Sequence, residues 1–91
     1  MALTGQVALV TGAGRGIGKV TAIQLAKVDA YVVVADFDLD AADETCATIR
    51  SWGGQSFAIR ADIGDISDID AMVATVADEF DGILERLNLS E

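Results

Sequence analysis

The feature that most constrains this chain is an apolar run, Val7-Ala8-Leu9-Val10, that breaks into Thr11-Gly12-Ala13-Gly14-Arg15-Gly16-Ile17-Gly18. The run reads as a buried strand and the residues from Ile17 onward as a helix. A strand that turns through glycines into a helix leaves main-chain N–H groups bare at the turn. The helix N-terminus adds about half a positive charge to the same spot. A phosphate fits there, so the pattern points to an α/β chain built to hold one.

Strand and helix patterns keep alternating after that turn. Gln6 to Thr11 is the first strand, and its unbroken apolar centre predicts burial on both faces, as in a parallel sheet. Ile17 to Val28 reads as a helix with Val20, Ile23, Leu25 and Ala26 on its apolar side. Tyr31 to Ala35 is a β-branched second strand. Asp40 to Trp52 reads as a second helix, with Ala41, Thr45, Thr48 and Ile49 broadly on one face, and Gly53-Gly54 ends it. Ser56 to Arg60 is a weaker third strand. A third helix starts near Ser67, where Ser67-Asp68-Ile69-Asp70 resembles a capping box. It runs to about Phe80, with Ile69, Met72, Val73, Val76 and Phe80 at helical spacing.

The βαβαβα order predicts a three-stranded parallel sheet in the order 3-2-1, joined by right-handed crossovers, with helices on both faces. Strand one then lies at an edge unless something pairs with it. In a full doubly wound sheet a fourth strand sits beside strand one, at the switch point where ligands bind. The segment 84–91 is where a degraded fourth strand would belong. Leu84 and Leu87 suit a helix there, while Leu87 and Leu89 suit a strand. The expected division is a nucleotide-binding segment, 1–83, and a divergent tail, 84–91.

Composition narrows the possibilities. Ninety-one residues hold one small domain or a piece of a larger one, and such a chain buries only about 60–65% of its unfolded surface. No apolar run approaches the roughly 20 residues of a membrane span, and Met1 to Gln6 lacks the basic start of a secretory signal. One cysteine, Cys46, has no intramolecular disulfide partner, which suits a reducing cytoplasm. With no histidine to activate it, Cys46 reads as helix packing rather than as a nucleophile, and no metal site is expected. A net charge of −9 argues against nucleic acid or an anionic membrane as partner. Much of that acid falls between Asp36 and Glu44 and between Asp62 and Asp70, where most of it suits helix starts.

The glycine turn has its own spacing. Glycines at the first, third and sixth positions are the usual dinucleotide pattern. Here the sixth position from Gly12 is Ile17 and from Gly14 is Lys19. The pattern that fits is G-x-x-x-G-x-G, with Gly12 for the tight turn, Gly16 for backbone approach to a diphosphate and Gly18 for helix packing. Asp36 closes strand two, 18 residues after Gly18, near the expected spacing of about 20. A carboxylate there accepts from both ribose hydroxyls of an adenosine and repels a 2′-phosphate, favouring NAD over NADP. Phe37 follows where a phosphate reader would want arginine, whereas Arg15 in the loop points the other way. Asp62, after strand three, lies on the same rim, where it can accept from an adenine amino group while the Ile63 amide donates to the ring.

These segments, from Leu3-Thr4-Gly5-Gln6 through Gly18, then Val32 to Asp36, then Ala61-Asp62-Ile63, resemble the N-terminal third of a short-chain dehydrogenase/reductase, over about Leu3 to Ile83. The resemblance implies a partial Rossmann fold, a nicotinamide cofactor, hydride transfer between an alcohol and a carbonyl, and often a tetramer. It places Gly12, Arg15, Gly16, Ile17 and Gly18 along the diphosphate, Asp36 at the ribose with Phe37 beside it, and Asp62 with Ile63 at the adenine. Three departures stand out. Asp29 replaces the glycine that usually ends the first helix. Glu85, Arg86 and Leu89-Ser90-Glu91 interrupt what is usually an apolar strand ending Asn-Asn-Ala-Gly. The Tyr-x-x-x-Lys pair and its serine are absent from these 91 residues, for Tyr31 is followed four positions on by Ala35. Tyr31 therefore reads as packing, and no catalytic residue is expected in this chain.

Two readings compete with a dinucleotide module. One is a methyltransferase-like module for S-adenosylmethionine, which also joins a glycine turn to an acid after strand two. The other is an interaction fragment that self-associates through the open edge of strand one. Lys19 and Lys27 read as solvated, and Trp52 as a helix cap or a contact.

Overall fold

The computed structural model describes residues 4–88, with side chains up to Glu79. Its order is β1 (Val7–Thr11), α1 (Gly16–Lys27), β2 (Tyr31–Asp36), α2 (Leu39–Ser51), β3 (Ser56–Arg60) and α3 (Ile66–Asn88). The three strands form one parallel sheet with β2 in the centre. Val32 and Val34 turn to one face and pack with Ala22, Ala26, Ala42, Cys46 and Ile49 of α1 and α2. On the other face Ala35 packs with Ala61 and Met72 under α3. Side chains alternate across a strand, so one central strand feeds both layers.

The elements fall where the periodicity put them, with differences that have local causes. β1 is not buried on both faces: Leu9 is 40% exposed, and among the described residues β1 pairs with β2 alone. Val32 to Ala35 of β2 are buried, as is Ser56 at the start of β3. On α1 Ala22 and Ala26 are buried, Ile23 and Leu25 pack partly buried against the core, and Val20 is exposed. The buried stripe of α2 is Ala42, Thr45, Cys46 and Ile49, leaving Thr48 outside. α3 begins earlier than Ser67: the Asp65 side chain accepts from Ser67 N–H at 2.9 Å and so caps the helix itself. Within α3, Met72 is buried and Val73 is 53% exposed; Phe80's side chain lies outside the described ones. The helix continues through Asn88, so residues 84–88 form no fourth strand and the 83/84 boundary falls inside a helix; residues 89–91 lie outside the described residues.

Two helix ends feed chain back into the sheet by the same device. After α2, Gly53 N–H donates to Arg50 O and Gly54 N–H to Ile49 O. After α1, Asp29 N–H donates to Ala26 O and Ala30 N–H to Leu25 O. Both are paired six-to-one and five-to-two closures. Trp52 is the capping residue of α2, and Tyr31 packs its ring 6.0 Å from that of Phe57.

Candidate functional site

The glycine turn, Asp36, Phe37, Asp62 and Ile63 lie at the carboxyl ends of the strands. Parallel pairing sets Thr11 beside Ala35, and Asp36 beside Arg60, so the glycine turn and both acid-bearing loops share one rim. The turn leaves β1 through Gly12 at φ +63° and enters α1 through Gly16 at φ +60°. A side chain strains both conformations, yet no atom stands within 4 Å of where either Cβ would be. The space beside the turn is open. Gly18 is the opposite case, since a Cβ there would strike the Gly12 carbonyl and the Ala13 backbone. Its role is to seat α1 against the turn rather than against the sheet.

Arg15 is the N-cap residue of α1 and makes no side-chain cap, and the first turn holds no acid. The first amides of α1 thus have no capping side chain, at the positive end of the helix. Ile17 stands 87% exposed next to them. An anion placed there meets N–H donors and a favourable field.

Asp36 points into this turn. Its Oδ2 accepts from Gly14 N–H at 2.9 Å and its Oδ1 from Asp38 N–H at 2.9 Å. The Asp38 amide foremost lowers its carboxyl pKa below the ordinary value; burial opposes it next in size, and the Gly14 amide and the nearby Arg15 charge add to the lowering. Each carboxylate oxygen has about two acceptor sites, so one per oxygen remains for a ligand.

Beyond Asp36 a cavity of about 270 Å³ opens between Thr11, Gly12, Asp36, Phe37, Asp62 and Ile63. Ile63 and Phe37 are 58% and 63% exposed and give it two apolar walls. Asp62 turns Oδ1 back to the Gly64 amide at 2.9 Å, which fixes its side chain on the rim. Its own N–H donates to Asp68, which also pairs with Arg60.

Four residues of the site escaped the sequence reading. Gly14 lies so close to α2 that a Cβ would come within 2.7 Å of Ala41 Cβ and 2.8 Å of Asp36 Oδ2; its place as a variable letter of the motif concealed it. Asp38 pairs with Arg15 at 2.8 Å and accepts from Ala41 N–H, capping α2. Arg60 lays its guanidinium 4.9 Å from the centre of the Phe37 ring. Thr45, read only as packing, donates to Ala13 O at 3.0 Å. Each contact needs the strand register or a helix phase that one-dimensional spacing does not carry. Cys46 is buried, and burial pushes its thiol pKa up, so it holds no reactive position. The described residues contain no metal-competent cluster, and no helix among them is long and apolar enough to cross a membrane.

Residues 6–87 match the family model of short chain dehydrogenase. The chain is similar to 3-oxoacyl-[acyl-carrier-protein] reductase of Synechocystis, 45% identical over 83 residues that are 90% of this chain and 34% of that protein. It is also similar to 7alpha-hydroxysteroid dehydrogenase of Escherichia coli, 46% identical over 77% of this chain and 28% of the other. It thus spans about a third of the length of these relatives. Two solved structures share the fold closely. A metagenomic short-chain oxidoreductase in complex with NADP superposes at TM-score 0.84, with 32% identity, over 88% of this chain and 36% of that one. An oxidoreductase from Haemophilus influenza with bound NAD superposes at 0.82, with 25% identity, over 87% and 28%.

Proposed function

The chain belongs to the short chain dehydrogenase family, and we propose that it is the NAD-binding part of an oxidoreductase that moves hydride between an alcohol and a carbonyl. The observation that carries the choice of NAD is the Asp36 carboxylate, charged and aimed at the glycine turn with one acceptor site per oxygen to spare. It accepts from the ribose hydroxyls of the adenosine. Placed there, a 2′-phosphate meets a like charge at close range. The two guanidiniums able to offset that clash are already committed, Arg15 to Asp38 and Arg60 to Asp68.

The rest of the cradle follows the same geometry. The open sides of Gly12 and Gly16 and the uncapped amides of α1 take the diphosphate, with Arg15, Ile17 and Gly18 completing that wall. Phe37 and Ile63 flank the adenine, and Asp62 accepts from its amino group. When bound, the nicotinamide supplies the hydride donor or acceptor; this chain's residues bind, orient and screen the adenosine and diphosphate end. No Tyr-x-x-x-Lys pair occurs in the sequence, so the chain by itself binds without turning over. The cytoplasm suits its single reduced thiol.

Titration of the 91-residue chain with NADH and NADPH, read by nicotinamide fluorescence and calorimetry, tests the reading. Saturable NADH binding, at least about tenfold tighter than NADPH, supports it. Absence of binding at millimolar NADH, equal affinity for the two, or displacement of NADH by S-adenosylmethionine overturns it.

A further inference from the structure

We propose that Thr45 is a positioning residue for the dinucleotide turn, holding with Asp36 the single peptide plane that aims the turn's N–H groups; this rests on the cofactor reading above. Thr45 sits midway along α2, wholly buried, and its hydroxyl donates to Ala13 O at 3.0 Å. Thr48 and Thr75 donate to the carbonyl four residues back in their own helices, whereas Thr45 also reaches out of its helix. Its own four-back carbonyl, Ala41 O, is farther, at 3.3 Å. With one hydroxyl proton to give, the shorter bond to the buried turn is the better one.

The other end of the same peptide is held as well. Gly14 N–H donates to Asp36 Oδ2 at 2.9 Å. The Ala13 carbonyl and the Gly14 N–H belong to one rigid plane, so α2 grips one end and the last residue of β2 grips the other. One residue earlier, Ala13 N–H donates to Ala35 O at 3.0 Å. The turn from Ala13 to Gly14 is thereby pinned while Gly12 and Gly16 on either side retain open space. Without the hydroxyl, the buried Ala13 carbonyl loses its partner and the plane is free to rotate toward water. The amides that follow would then lose their aim at the diphosphate. Thr45 touches no ligand; it acts through Ala13.

Thr45→Val keeps the shape and removes the donor, and Thr45→Ser keeps the donor. The full chain is read by amide hydrogen exchange without ligand and by NADH titration. Expected for Thr45→Val is faster Gly14 exchange and weaker NADH binding, each by about three- to tenfold, the effect of one hydrogen bond, with Ile49 exchange in α2 unchanged. Thr45→Ser restores both. Unchanged Gly14 exchange in Thr45→Val, or a defect that serine fails to rescue, overturns the proposal. Should the valine chain not fold, Thr45→Cys, of similar volume with a weak donor, is judged on the same two readouts. If the parent chain binds no NADH, the cofactor reading falls, while Gly14 exchange still judges Thr45.

Discussion

Asp36 meets two demands with one carboxylate: it ties Gly14 and Asp38 in place and keeps acceptor capacity, which the proposed reading assigns to the ribose. Because the folded state holds its pKa below the ordinary value, its contribution is present above the unfolded carboxylate value of about 3.9 and fades as pH falls through the lower folded one. NADH affinity is accordingly expected to stay flat from about pH 8 to pH 5, and a titration series across that range checks it. The neighbouring Arg15–Asp38 pair is exposed on both sides, and such pairs contribute about 0–1 kcal/mol to stability. In the proposed reading its effect is on selectivity. Asp38→Asn still offers an oxygen to cap α2 through Ala41 N–H but releases Arg15. The NADPH-to-NADH affinity gap should narrow by about three- to tenfold, with melting temperature nearly unchanged; an unaltered ratio would show that Arg15 does not reach the 2′ position.

The two helix ends are chemically unequal though geometrically alike. Asp29 adopts φ +74° in the closing turn of α1, a conformation in which a side chain is disfavoured by roughly 1–2 kcal/mol, less for aspartate. Asp29→Gly is expected to stabilise the chain by about 0.5–1 kcal/mol after allowing for glycine's larger unfolded-state entropy, seen as a higher midpoint in urea with an unchanged slope. That site was legible, through the family resemblance in which glycine usually ends the first helix. So were all six elements and the placement of Gly12, Gly16 and Asp36 on one rim, since hydrophobic period and glycine spacing encode them directly. One position of α1 was not: Ile23, Leu25 and Ala26 do pack on the core, but Ala22 rather than Val20 completes the buried side. The α3 start was misplaced because Asp65 and Ser67 are both good caps, and only backbone geometry decides between them. Arg60 and Thr45 act across 23 and 32 positions of chain, on Phe37 and Ala13, distances at which spacing has no meaning until the register is known.

At the scale of the whole molecule, an acidic chain carries an open strand edge and half of a ligand cradle. Among the described residues β1 pairs only with β2, and Leu9 remains 40% exposed beside that edge. A second copy can pair with the edge, and the net charge of −9 on each copy opposes the approach. Sedimentation should therefore reveal concentration-dependent dimers that strengthen as salt rises from about 0.01 to 0.15 M; a monomer at all concentrations and salts removes self-association. The cradle makes a sharper demand. In the reading proposed above, its described walls take an adenine, a ribose and a diphosphate, with the exposed Ile17 at the far end of the diphosphate wall. Binding free energy then comes almost wholly from the half of the cofactor that carries no redox chemistry. ADP-ribose, which keeps that half and lacks nicotinamide, should bind the 91-residue chain within about threefold of NADH, since a group left in water contributes little to affinity. Adenosine alone, without the phosphates seated at the α1 N-terminus, should bind at least about tenfold more weakly. Competition of both compounds against NADH fluorescence reads the two comparisons together. A large preference for NADH over ADP-ribose would mean that the chain holds the nicotinamide as well, and the division of labour argued from its geometry would be wrong.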